Sequence, residues 1–167
     1  MSNLSANERH WNLKVIRFPA FQFEMQGNAR IAMESQGFFA SIPPVEGAIA
    51  TLKELSTTDG WEIFFVTSPF TSPHCIPEKL QWILKHFGDK KWQDRVIFTK
   101  DKTMIRGEGG VLIDDNPNID ELKGKSLLVP TWRHVLFSRK YNEERKEKPR
   151  LTSWQIDHVR KVLGDVQ

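Results

Sequence analysis

Thr67 and Ser68, then Lys102, then the adjacent pair Asp114 and Asp115 are the residues of this chain whose types and order suggest chemistry. Strand-end hydroxyls and backbone N–H groups take phosphate oxygens. A lysine neutralises the charge, and carboxylates hold a hard cation such as Mg²⁺ directly or through water. Each signal alone is weak. Thr-Ser-Pro after an apolar run is most often a turn, a lone lysine is most often solvated, and Asp114 in "DDNPN" also reads as a turn cap. Two adjacent carboxylates repel, however, and a metal or a lysine nearby is the ordinary reason for such a pair. The ordered trio is therefore far more specific than any member.

Each of the three groups closes an expected strand. "WEIFFVTSP" (61–69) is a continuous apolar run bounded by Gly60 and Pro69, as in a strand buried on both faces. "RVIFT" (95–99) leads into Lys100, Asp101 and Lys102, and "VLIDD" ends on the aspartates. "SLLVPT" and "HVLFS" follow as weaker strand candidates. Between them lie helical patterns. Residues 29–36 read as one. Val45, Ile49, Leu52 and Leu55 mark a second, after the turn "IPPVEG". Leu80, Ile83, Leu84 and Phe87 mark a third that Gly88 stops. Thr152 and Gln155 form a capping-box pattern for a last helix with Val159, Val162 and Leu163 inward. Strands alternating with helices predict an α/β fold with a mainly parallel sheet. In such sheets ligands bind outside the carboxyl ends of the strands, which brings the three polar groups to one edge. The stretch 139–150, "RKYNEERKEKPR", reads as a solvated surface segment, with an anion-binding arm as the minor reading.

The whole chain bounds the answer. Its 167 residues suggest one compact domain. With 39% hydrophobic and 27% charged residues it is neither disordered nor fibrous in composition. No apolar run approaches a membrane span, and the first residues lack a basic then apolar secretory pattern. The single cysteine, Cys75, excludes a disulfide framework. A cytoplasmic location is expected, with a mitochondrial one as the alternative. A net charge of +3 suits anionic ligands without pointing to nucleic acid.

Receivers of response regulators also combine paired aspartates, a hydroxyl and a lysine, but with the aspartates first in the chain. The order found here resembles the haloacid-dehalogenase phosphatases instead. In detail it resembles the 5'(3')-deoxyribonucleotidases, which remove phosphate from deoxynucleoside monophosphates. The resemblance runs from about Ala29 to the C-terminus, through "FFASIPPVEGA", "VTSP", "CIPEKLQWILKHFG", "VIFTKDKT", "LIDDNP" and "TWRHVLF". It implies a Rossmann-like three-layer α/β sandwich and a Mg²⁺ cofactor, conditional on an intact site. It assigns Thr67, with Ser68, to the phosphoryl group and Lys102 to its negative charge. Asp114 becomes the direct Mg²⁺ ligand, with Asp115 assisting. Lys79, in "CIPEK", matches a lysine near the substrate. Phe39 lies where the family places an aromatic against the base, although a core phenylalanine is an equally good reading. Cys75 matches a family cysteine and reads as packing.

The chain departs from that pattern at its start. The family opens on a strand ending in Asp-x-Asp-Gly-Val, whose first aspartate attacks phosphorus and binds Mg²⁺ and whose second protonates the leaving oxygen. This chain has no aspartate before Asp59, which precedes the wrong strand. The local substitute is "LKVIRFPAFQFEM" (13–25), with a replacement strand at 13–18 that sets Arg17 and Pro19 against the two aspartates. Residues 1–28 then form a divergent N-terminal segment ahead of a core at 29–167, and most of the family's helical cap is missing. Three expectations follow. The chain is a nucleotidase homologue with little or no activity. Or it is a non-catalytic nucleotide-, protein- or RNA-binding scaffold. Or it is an incomplete or alternatively spliced product. A homodimer, or a protein partner on the open face, is expected where the cap is absent.

Overall fold

The computed structural model describes residues 13–17, 28–58, 60–120 and 128–164, and of residues 13–17 and 28–29 the backbone alone. Six strands form one sheet in the order β3-β2-β1-β4-β5-β6. They are β1 (Leu13–Arg17), β2 (Glu62–Thr67), β3 (Val96–Phe98), β4 (Val111–Asp114), β5 (Arg133–Phe137) and β6 (Arg150–Leu151). Every pairing is parallel. Among the described residues five α-helices accompany them: α1 (Asn28–Glu34), α2 (Phe38–Ser41), α3 (Ala48–Leu55), α4 (Cys75–Phe87) and α5 (Ile156–Gly164). This is the α/β fold with a parallel sheet that the alternating pattern predicts, in the Rossmann-like form that the resemblance implies.

The two faces of the sheet are sorted by strand alternation. Ile63 and Phe65 of β2, Val111 and Ile113 of β4, and Val135 and Phe137 of β5 share one face. They pack with Leu52 and Leu55 of α3, Trp82, Ile83 and Phe87 of α4, and Val159 and Leu163 of α5. Burying each such side chain contributes about 1.5–3 kcal/mol. Val66 and Leu112 point the other way and meet Ile119 and Trp132, with Ile97 and Ile105 alongside. Among the described residues that second face is covered by turns rather than by helices. Strands buried on both sides explain why β2 and β4 read as unbroken apolar runs.

Several boundaries move from their expected places. The third expected helix, α4, starts at Cys75 rather than at residue 77, and Gly88 stops it as expected, taking φ 80° and donating its N–H to the Leu84 carbonyl at 2.9 Å. The Thr152–Gln155 capping box does not form. Thr152 Oγ1 lies 3.0 Å from His158 Nε2 instead, and α5 begins at Ile156. Of "SLLVPT", residues 128–131 are not strand, and the rest lies outside the described residues. The charged stretch 139–150 is more than a solvated segment. Its Asn142 is buried, and Arg150 opens β6 while donating to the Arg145 carbonyl at 2.7 Å. Side chains that hydrogen-bond inward hide in a stretch that is charged on average.

The replacement strand expected at 13–18 forms as β1, over residues 13–17. A strand of residues 13–17 lies between β2 and β4, pairing Leu13 with Glu62 through Arg17 with Val66 on one side. On the other side Lys14, Val15 and Ile16 pair with Val111, Leu112 and Ile113. The centre of the sheet is therefore filled, and its sequence, Leu-Lys-Val-Ile-Arg, contains no aspartate. Pro19 lies outside the described residues.

Candidate functional site

β2 and β4 end level with β1, so their polar termini face the same edge. Two groups assemble there. Thr67 closes β2, and its buried hydroxyl accepts a hydrogen bond from Lys79 Nζ at 2.8 Å. The same ammonium donates to the Ser68 carbonyl at 2.8 Å and stands 5.2 Å from the centre of the Phe39 ring, a cation–π distance. Ser68 itself is half-buried. Thr67 is anchored from β3 as well, because the Thr99 N–H donates to its carbonyl at 3.0 Å.

The second group joins Lys102 and Asp114. Both side chains are fully buried, and Lys102 Nζ donates to Asp114 Oδ2 at 2.5 Å. The lysine sits in a short 3₁₀ turn, Lys102–Met104, that Asp101 caps by accepting from the Thr103 N–H at 3.0 Å. Trp132 Nε1 donates to the Lys102 carbonyl at 3.3 Å, which fixes the turn to the second face of the sheet. Asp114 Oδ1 accepts from the Asn116 N–H at 2.8 Å. Asp115 is buried, and its carbonyl accepts from Asn142 Nδ2 at 2.9 Å. Across β1 the two groups stand roughly 10 Å apart, two strand spacings. One step past the Ile16–Ile113 pair, the backbone of Arg17 comes alongside Asp114.

These contacts test the expected Mg²⁺ site. The donor set offers Asp114 and Asp115, and among the described residues no three His, Cys, Asp or Glu side chains cluster as a metal site would need. Lys102 occupies one Asp114 oxygen, and the Asn116 amide occupies the other. Mg²⁺ demands near-octahedral oxygen ligands at about 2.0–2.1 Å. This arrangement does not fit it.

Some residues of the edge escaped sequence reasoning. Glu78, buried in the first turn of α4, accepts from the Gly37 N–H at 2.6 Å and the Phe39 N–H at 2.9 Å. An acid in a helix's first turn is ordinary, so its sequence gave no signal. Phe39 is 1% exposed and packs against Phe38 and Phe70, so its ring belongs to the core. Cys75 is buried, and its sulfur accepts from the Phe70 N–H at 3.2 Å, which agrees with packing.

His134 braces the aspartates from behind. Its Nε2 lies 3.2 Å from the Asp114 carbonyl, which only accepts, so Nε2 carries the hydrogen. Its Nδ1 then accepts from Lys148 Nζ at 3.1 Å, and Lys148 also pairs with Asp120. Burial lowers the His134 pKa, while the Asp114 carbonyl pulls the other way and the Lys148 charge lowers it further. Burial alone would raise the Asp120 carboxyl, but Lys148 holds it below its ordinary value.

Comparison with known proteins agrees with this architecture. The family model described as "5' nucleotidase, deoxy (Pyrimidine), cytosolic type C protein" matches residues 11–163. The chain is 31% identical over 151 residues to the human cytosolic 5'(3')-deoxyribonucleotidase, covering 88% of this chain and 71% of that protein. It is 34% identical over 128 residues to the human mitochondrial 5'(3')-deoxyribonucleotidase, covering 74% of this chain and 53% of that one. A Bordetella bronchiseptica protein named provisionally for the same activity is 35% identical over 129 residues, of which this chain spans 64% of the length. With a model match running from before β1 to within α5, and with a human relative covered over most of its length, this chain belongs to the cytosolic type C 5'-nucleotidase family, the 5'(3')-deoxyribonucleotidases.

Proposed function

We propose that this chain binds deoxyribonucleoside monophosphates at the carboxyl edge of its sheet and hydrolyses them very slowly or not at all. The observation that carries this reading is β1. The strand slot between β2 and β4 is filled by Leu-Lys-Val-Ile-Arg, and no aspartate stands anywhere before Asp59. A phosphoenzyme needs a nucleophile, and neither arginine nor any other residue of this strand supplies one. The edge nonetheless keeps what an anion requires. Thr67 and Ser68 end β2 with the buried Lys79 ammonium on them, and a second buried ammonium, Lys102, stands with Asp114 at the end of β4.

Deoxynucleotides are favoured over phosphate monoesters at large by the names of the human relatives, which act as 5'(3')-deoxyribonucleotidases. Those names divide between cytosolic and mitochondrial types. No helix of the described residues is long and apolar enough to cross a membrane. A scaffold that binds protein or RNA is the alternative outcome of the test.

The test is turnover and binding by this exact chain. Loss of a nucleophile costs about 10⁴–10⁶ in rate. Phosphate release from dUMP or dTMP is expected to fall at least that far below the human cytosolic relative assayed alongside. Calorimetric binding of dTMP is expected to persist. Turnover within about a hundredfold of that relative, well short of the loss a missing nucleophile produces, overturns the proposal. Absence of dTMP binding leaves the scaffold reading.

A further inference from the structure

We infer that this edge takes its phosphate without a divalent cation, the Lys102 ammonium filling the place beside Asp114 that a metal would need. The inference rests on the proposed phosphate binding and goes beyond it. Three observations support it. Lys102 Nζ lies 2.5 Å from Asp114 Oδ2, with both side chains at 0% exposure. A cation bound to that oxygen would sit directly against a buried ammonium, and the two positive charges repel each other. The other oxygen, Oδ1, is held by the Asn116 N–H at 2.8 Å, a bond that shapes the turn after β4. Finally, the strand position alongside Asp114 belongs to Arg17, a permanently cationic residue type, where a metal site would want another carboxylate.

The lysine is not free to drift. Asp101 caps its turn, Trp132 holds its carbonyl, and the neighbouring Thr103 is fully buried. Across β1, Lys79 is fixed by Thr67 and Ser68. The edge thus holds two fixed cationic side chains, Lys79 and Lys102, in the groups on either side of the central strand. Inorganic phosphate or the phosphate of a nucleotide fits that charge pattern, and a metal ion brings a third positive centre that it does not need.

The sign of one substitution separates the two arrangements. In a metal-dependent site, Asp114→Asn removes a ligand and weakens phosphate binding. With Lys102 in the metal's place, the same change releases the ammonium from its carboxylate and strengthens the attraction for the anion. The experiment is calorimetric titration of the purified chain with inorganic phosphate and with dTMP, in EDTA and in excess Mg²⁺, together with Mn²⁺ titration followed by electron paramagnetic resonance.

The expected result is affinity equal within about twofold in EDTA and Mg²⁺, no stoichiometric Mn²⁺ binding, and several-fold tighter phosphate binding in Asp114→Asn. Binding that appears only with Mg²⁺, or that tightens tenfold with it, overturns this inference and leaves the proposed function standing. Absence of binding under both conditions overturns both. The wild-type comparison decides the matter even where Asp114→Asn fails to fold.

Discussion

His134 shows how far a site residue can act from behind the surface it serves. Its ring ties the Asp114 carbonyl to Lys148 and, through Lys148, to Asp120. Its folded-state pKa is lowered, first by burial. The unfolded chain therefore takes up this proton before the folded chain does. The sign follows: stability from this group is complete above the ordinary histidine value and is lost as pH falls below it. His86 is lowered too, by burial and then by Lys85 and Lys53, and contributes with the same sign. Urea unfolding between pH 7 and pH 5 should show stability falling with pH. The slope should be shallower, though not flat, in His134→Gln. An unchanged slope in that variant would mean that His134 takes up its proton alike in the folded and unfolded chains.

At this same scale the sequence was only partly legible. Thr67, Lys102 and Asp114 were readable because each follows an apolar run, and parallel strands deliver their ends to one edge. The Lys102–Asp114 pairing was not, since nothing in spacing says which oxygen a lysine will choose. His134, Glu78 and Asn142 were hidden for a different reason. Each acts by hydrogen-bonding backbone groups, and backbone carries no sequence signature.

Among the elements, the short helix α2 depends on α4 for its start. Two N–H groups at its N-terminal end, those of Gly37 and Phe39, donate to the Glu78 carboxylate. Charge-assisted bonds of this kind contribute about 1.5–3 kcal/mol each. Glu78→Ala is expected to cost about 3 kcal/mol in urea unfolding, with Glu78→Gln recovering part of it. A loss below about 0.5 kcal/mol would show that α2 is held by its aromatic packing alone.

The turn into α3 is tighter still. Gly47 has φ 76°, and a Cβ there would sit 2.9 Å from the Trp154 carbonyl oxygen. The same carbonyl accepts from Thr51 Oγ1, which locks α3 against the segment leading into α5. Gly47→Ala should therefore cost more than about 2 kcal/mol, strain and displaced backbone together. Gly37→Ala, at φ 88° in open space, should cost only about 1 kcal/mol, the strain by itself. Equal melting-temperature losses in the two variants would contradict this. Apolar spacing located α3 and α4, whereas the four-residue α2 is too short to show a 3.6-residue period and was not foreseen. The Thr152 cap was mispredicted, because a local pattern cannot foresee that His158 would claim the threonine.

In the whole molecule, a Rossmann-like sheet has at its centre a strand without an aspartate. The parallel sheet and its polar edge were deducible from strands alternating with helices, while the strand order comes from the structure. What "LKVIR" would do was deducible only as a placement. Its alternating apolar residues suit a strand, and the sheet needed one there. The structure supplies the register, Ile16 beside both Phe65 and Ile113. A fold tolerates such a replacement readily, since strand pairing depends on backbone and apolar fit.

The sheet order carries one more consequence, for how the chain comes off the ribosome. β1 is made first among the six strands and ends in the middle, with β2 on one side and β4 on the other. Its second neighbour is synthesised only after α4 and β3 are complete. Until then β1 and β2 present a nascent ribbon with one apolar strand still open. Parallel pairings across such long loops form slowly, and an open strand edge is a template for pairing with other chains. This protein is therefore most exposed to aggregation, and most in need of chaperone protection, during the interval between the emergence of Thr67 and that of Val111.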